Sequence, residues 1–165
     1  VLKEPQLVRK MVLAGTGPAG GEGISTVAGV TFLDILRGFF TGQDAKQFLF
    51  FTRTPNGKEA GKAFLARLQE RTEDRDKDIS VSAFLAQLEA LRTWGGKAPA
   101  DLSVVKQPVL VVNGDDDRMV PTVNTHDLAR RLSNSQLIIY PDAGHGGLFQ
   151  FHVDFVRSTL SFLAR

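Results

Sequence analysis

Two textures of apolar spacing divide the chain. Near the start, Leu7–Leu13 reads LVRKMVL, and its Val8–Leu13 portion is short, apolar and partly β-branched, the profile of a buried strand. It runs into a glycine-rich loop, Gly15 to Gly23. From Ile24 to Trp94 the period turns helical. Val30–Phe40 carries Phe32, Leu33, Leu36, Phe39 and Phe40 near i, i+3, i+4, i+7 spacing, so this face is expected to pack inward. Gln43–Thr52 carries Phe48, Phe50 and Phe51 ahead of an expected break at Pro55-Asn56-Gly57, and Lys58–Arg71 sets Phe64, Leu65 and Leu68 on one face. The charged stretch Glu70–Asp78 reads as a solvated connection. Ser80 or Ser82 is positioned to cap a further helix, whose apolar face holds Phe84, Leu85, Leu88 and Leu91.

Past Pro99 the texture changes. Pro108–Asn113 is a continuous apolar run ending in Gly114 and three aspartates, as expected of a parallel strand covered on both faces. Thr125–Leu132 is helical, Gln136–Tyr140 is another strand, and Phe149–Leu163 is a closing amphipathic helix. This alternation predicts an α/β fold: a partial doubly wound parallel sheet of about three strands, with a helical block inserted between the first two.

Length and composition narrow the function classes. A chain of 165 residues, 42% hydrophobic and 23% charged, builds one ordinary globular core, so a disordered tail, a fibrous repeat and a coiled coil are excluded. No uninterrupted apolar run approaches the roughly 20 residues that cross a bilayer, so no membrane partner is expected. With 20 basic against 18 acidic residues and no clustered basic stripe, no nucleic-acid partner is expected either. The absence of cysteine removes disulfide frameworks, thiolate metal sites and a cysteine nucleophile. Eight of the twelve Phe residues fall between 24 and 94, so that block either buries a small core of its own or lines a greasy cavity. No signal peptide opens the sequence, and the expected compartment is the cytoplasm. The chain begins at Val1 and reaches a core strand within a few residues, which leads us to expect the later part of a longer protein.

Two features bear on chemistry. Gly15-Thr-Gly17-Pro-Ala-Gly20 matches the G-x-G-x-x-G of dinucleotide sites, but that chemistry needs a helix to open at once and offer its amides to a pyrophosphate. Here glycines continue to Gly23, and no acid-terminated second strand follows. We expect a hinge and no cofactor. The second feature is stronger. Asp115-Asp116-Asp117 follows one buried strand, and Asp142-Ala143-Gly144-His145 follows the next. Functional groups in open α/β sheets gather outside the carboxyl ends of the strands, so an acid and a histidine on neighbouring loops can meet there. A carboxylate orienting a histidine that acts as general base is two-thirds of a nucleophile–base–acid triad. The aspartates lack further oxygen ligands at loop spacing, and no metal site is assigned. The three adjacent carboxylates cannot be ranked by pattern alone. His126 and His152 read as surface residues of helices.

Taken together, the LVLAGTG-like Met11–Gly17, the G-x-x-D-x-h-h-P-like Gly114–Pro121 and the D-A-G-H run Asp142–His145 resemble the C-terminal portion of an α/β-hydrolase-fold protein, near the cofactor-free haloperoxidase and esterase group. The resemblance extends over nearly all of 1–165. It implies residues 1–23 and 95–165 as core, 24–94 as helical cap, Asp117 as triad acid and His145 as triad base. It implies a small ester-like substrate cleaved through a Ser-His-Asp triad. The sequence departs from the family in lacking G-x-S-x-G, the elbow that holds the nucleophile, so only the acid and the histidine are expected here and the isolated chain is expected to be inactive. A non-catalytic truncated member is the alternative. In that family's sheet the strand at Val8–Leu13 has neighbours from earlier in the chain, so its open edge is expected to join a homo-oligomer.

Overall fold

Pro108 has no N–H to give to a ladder, and the apolar run after it supplies the central strand of the sheet. The computed structural model describes residues 1–164. Its three strands, β1 (Met11–Ala14), β2 (Val109–Gly114) and β3 (Ser135–Tyr140), lie in the order β1-β2-β3, all parallel. Side chains alternate across β2 with a period of two. Val109 and Val111 pack with Val105, Leu128 and Leu132 on one face, and Leu110 and Val112 pack with Tyr140, Ala143 and Phe162 on the other. Helix α5 (Val123–Arg131) supplies the first cover. On the opposite face the cover comes from α7 (His152–Ala164). Every residue of β2 is buried, as its unbroken apolar run requires.

The first strand is shorter and later than Val8–Leu13. Pro5 opens a 3-10 turn over Pro5–Leu7, Leu7 is exposed, and the ladder starts only where Met11 N–H donates to the Pro108 carbonyl at 3.0 Å. Residues 8–10 therefore have no strand partner, and Lys10 instead donates from Nζ to the carbonyls of Phe162 and Leu163 near the end of α7. The closing helix is likewise not continuous. A short α6 (Gly147–Gln150) precedes α7, with the break at Phe151, whose ring stacks on Tyr140 at 4.8 Å.

Between β1 and β2 the chain forms α1 (Val27–Thr41), α2 (Ala45–Phe50), α3 (Pro55–Leu68) and α4 (Val81–Gly95). The expected break at Pro55-Asn56-Gly57 instead opens α3. Pro55 sits in the first turn, where its missing N–H is not needed, and Thr54 Oγ1 accepts from Gly57 N–H at 3.0 Å. Ser80 caps α4 by accepting from Ala83 N–H at 3.2 Å.

Helix α1 reverses its expected orientation. Val27, Thr31, Asp34 and Gly38 are buried, while Phe32, Leu33, Leu36, Phe39 and Phe40 are exposed, Phe39 by 81% and Phe40 by 80%. The docked face is selected by its fit and by a charge. A Cβ on Gly38 would lie 2.7 Å from the Gln43 carbonyl, and Asp34 is tied to Arg118. The stretch Ile24–Thr41 is by length and composition apolar enough to cross a membrane, although Asp34 and Arg37 interrupt it. The buried Asp34 at its middle is paired within the protein, where a bilayer interior would penalise it.

Candidate active site

The two loops singled out by sequence leave the carboxyl ends of β2 and β3 and are laced together by backbone bonds. Asp115 N–H donates to the Tyr140 carbonyl, Asp116 N–H to the Ala143 carbonyl, each at 3.0 Å, and Ala143 N–H returns to Asp115 Oδ1 at 3.1 Å. Gly114 is required by this approach: a Cβ there would meet the Ala143 carbonyl oxygen at 2.0 Å. Asp115 is thus a structural acceptor, Asp116 is exposed, and Asp117 turns inward.

The Asp117 side chain is wholly buried. Its Oδ1 accepts from Met119 N–H and Val120 N–H, both at 2.9 Å. Its Oδ2 lies 2.9 Å from His145 Nδ1. A carboxylate acceptor makes Nδ1 the nitrogen that carries the proton, leaving the Nε2 lone pair to face outward. The histidine remains about one-quarter exposed, so its free nitrogen is reachable. The residue pattern alone left Asp115, Asp116 and Asp117 unranked and the resemblance implied Asp117; in the structure the tight turn and two converging amides aim Asp117 at His145.

Other contacts that fix this pair escaped the sequence reading. Asp142, three residues before His145, adopts φ 49°, a left-handed conformation that Asp tolerates. Its carboxylate accepts from Asn56 Nδ2 at 3.0 Å and from the hydroxyls of Thr52 and Thr54 at 2.9 Å. These bonds hold its carboxyl below the usual carboxylate range, the Asn56 bond contributing most. Gly146 N–H donates to the Phe50 carbonyl at 2.7 Å, and the Phe50 ring stands 5.8 Å from the imidazole. On the acid side, Arg118 follows Asp117 directly and donates to the buried Asp34 at 3.0 Å. The helical block therefore grips both loops through one carboxylate each. The sequence signal was the alternation Thr52-Arg53-Thr54: the two hydroxyls reach Asp142, and Arg53 reaches toward Asp34 at 3.6 Å.

Gly15 ends β1 beneath the histidine; a Cβ at this position would lie 3.2 Å from His145 Cε1. The rest of its glycine loop serves packing. Cβ atoms at Gly17 and Gly21 would meet Ile24 and Asn124, and α1 begins only at Val27. Of the other histidines, His126 lies on α5 and His152 Nδ1 is 3.2 Å from the Phe149 carbonyl. Neither joins Asp117 and His145.

The family model described as the alpha/beta hydrolase fold matches residues 1–151. The chain belongs to that family. As an alpha/beta hydrolase it is 31% identical, over 99% of its length and 57% of the relative's, to a 2-hydroxy-6-oxononadienedioate/2-hydroxy-6-oxononatrienedioate hydrolase of Klebsiella pneumoniae. A pimeloyl-(acyl-carrier protein) methyl ester esterase of Nitrosomonas europaea is 26% identical over 94% of this chain and 62% of its own. The solved structure of an alpha/beta hydrolase fold protein from Chitinophaga pinensis, 36% identical, superimposes with a TM-score of 0.86 over 97% of this hydrolase-fold chain and 57% of that one. The chain thus spans little more than half the length of the relatives it matches.

Proposed function

We propose that the protein is a hydrolase of esters or related small carbonyl compounds, with Asp117 and His145 as the acid and base of a Ser-His-Asp triad. The observation that carries this reading is the 2.9 Å contact between His145 Nδ1 and Asp117 Oδ2 at the carboxyl edge of the sheet. His145 Nε2 takes the proton of the attacking hydroxyl and passes it to the leaving group. It then activates the water that hydrolyses the acyl-enzyme. Asp117, already held by two amides, stabilises the imidazolium that forms in each half-reaction. No G-x-S-x-G occurs in the 165 residues, so the hydroxyl comes from a segment outside them. Residues 24–94 act as the cap, with Phe50 as a wall beside the histidine, and 1–23 with 95–165 as the core. The relatives' names point to two substrate classes, methyl esters and oxo-dicarboxylates.

Hydrolysis of p-nitrophenyl acetate tests this reading in two proteins. One is the 165-residue chain; the other is a hybrid joining it to the part of the Chitinophaga pinensis protein that it does not cover. The chain alone should show no turnover above buffer, whereas the hybrid should turn over and lose a factor on the order of 10⁴ in kcat on Asp117→Asn or His145→Ala. A hybrid indifferent to His145→Ala would contradict the assignment. Saturable turnover by the chain alone, abolished by His145→Ala, would mean that its nucleophile lies within these residues. The missing elbow motif also favours a second reading, a non-catalytic assembly module, which an inactive hybrid with native-like stability would support.

The outer edge of β1, Met11–Ala14, has no strand on its far side among the described residues. We propose that in the 165-residue chain by itself a second copy pairs there across a two-fold axis. Sedimentation equilibrium at micromolar concentration should give a dimer; a monomer with freely exchanging Met11–Ala14 amides would contradict it.

A further inference from the structure

A cavity of about 450 Å³ opens between α1, α2 and α3, apart from Asp117 and His145. Four cationic side chains line it: Arg37, Arg53, Lys58 and Lys62. No carboxylate does. Lys58 and Lys62 are four residues apart on α3 and so share one face of that helix. The acid behind this wall, Asp34, has its hydrogen bond taken by Arg118 at 3.0 Å. Arg37 and Arg53 form longer ion pairs with the same carboxylate, at 3.9 and 3.6 Å, and neither guanidinium makes a hydrogen bond among the described residues, so their N–H groups remain free to bind a ligand. Asp34 is one carboxylate shared by Arg37, Arg53 and Arg118, so these three arginines keep a net positive charge, and Lys58 and Lys62 add two more charges with no carboxylate partner among the described residues. Two further residues shape the interior. The Phe48 ring packs 5.6 Å from the Arg37 guanidinium, and Gln47, 94% buried, has an Nε2 without a hydrogen-bond partner among the described residues.

We infer that this cavity binds a small organic phosphate. Guanidinium forks match the paired oxygens of a phosphoryl group, and the two ammonium groups add point charge suited to a dianion. The volume exceeds what orthophosphate needs and lies within the range of small-molecule pockets, with Phe48 as the apolar wall for the organic part. Like charges held together repel one another at little distance, and a bound dianion relieves that repulsion. The site stands independently of the hydrolytic reading, since it uses neither Asp117 nor His145.

Isothermal titration of the chain with phenyl phosphate tests the inference, with orthophosphate and succinate as comparison ligands and Lys58→Gln/Lys62→Gln as the variant. That double change leaves every partner of Asp34 in place, so loss of binding is separable from loss of fold, and circular dichroism checks the latter. Saturable binding of phenyl phosphate is expected, tighter than that of orthophosphate or succinate. It should weaken at least tenfold in the variant and as salt rises from 0.05 to about 0.5 M. An Arg157→Gln control on α7 should bind as the parent does. Absence of saturation at millimolar ligand, equal binding by the folded variant, or succinate binding as tightly as phenyl phosphate would each overturn the inference.

Discussion

Strand β2 and helix α1 are both strongly apolar segments of the chain, and they meet opposite fates. In β2 the apolar residues are the buried ones: Val109, Leu110, Val111 and Val112 are each 1% exposed. In α1 the apolar residues face outward, and the buried stripe is Val27, Thr31, Asp34 and Gly38. The sheet is organised by burial of hydrocarbon from both faces, a driving force without direction. The helix is docked by a directed contact, the Asp34–Arg118 pair, and by the close approach that Gly38 permits. Apolar content thus tells that a segment has a face to cover; it does not tell which face the rest of the molecule covers.

That contrast is easiest to break in the sheet. Leu110→Ala removes a fully buried side chain and should cost about 3 kcal/mol of unfolding free energy, measured by urea denaturation. Leu36→Ala, on the exposed face of α1, should stay within about 0.5 kcal/mol. If the two changes cost alike, the outward orientation of α1 is wrong.

Removing the polar anchor should have the next largest effect. Asp34→Ala leaves three arginines that water can still reach, so the loss should be about 1–3 kcal/mol. Because Arg118 adjoins Asp117, the same change should perturb the His145 imidazole resonances. A stability loss with unchanged imidazole signals would show that the anchor holds the helix but not the acid loop.

Asp142 offers a finer probe, through pH. Its carboxyl titrates below the usual range because the folded state hydrogen-bonds the charged form, with Asn56 first and then Thr52 and Thr54. A lowered folded value means that its contribution is fully present above the unfolded value, near pH 4, and is lost as pH falls through the folded one. Asp142→Asn tolerates the same left-handed backbone without the charge. The difference in Tm between parent and variant should therefore be constant from pH 7 to about 5 and shrink below about 4. A difference that persists unchanged at the lowest pH would contradict the role given to the charge.

The smallest effect belongs to the outer face of α1. Phe39→Ser with Phe40→Ser should leave unfolding free energy within about 1 kcal/mol of the parent, because both rings are already exposed. A larger loss would show that another surface covers them in solution.

Much of this architecture was legible in residue order. The unbroken run after Pro108 marked a doubly covered strand, and the two loops after β2 and β3 marked where an acid and a histidine would meet. What was hidden depends on contacts distant in sequence. Pattern alone left the three aspartates unranked, the resemblance pointed to Asp117, and the turn geometry that aims Asp117 at His145 was not readable in residue order. The starting point of β1 is set by Pro108, about a hundred residues downstream. Pro55-Asn56-Gly57 looked like an interruption because its helix-opening role depends on Thr54, and the tethers from Asp34 and Asp142 join residues more than eighty positions apart.

The central claim is that Asp117 fixes the tautomer and direction of His145. Proton–nitrogen correlation NMR of the imidazoles in the 165-residue chain tests it without any substrate. The account predicts that His145 carries its proton on Nδ1, with a strongly downfield resonance that moves or vanishes in Asp117→Asn. A proton on Nε2, or a His145 spectrum identical in parent and variant, would contradict it.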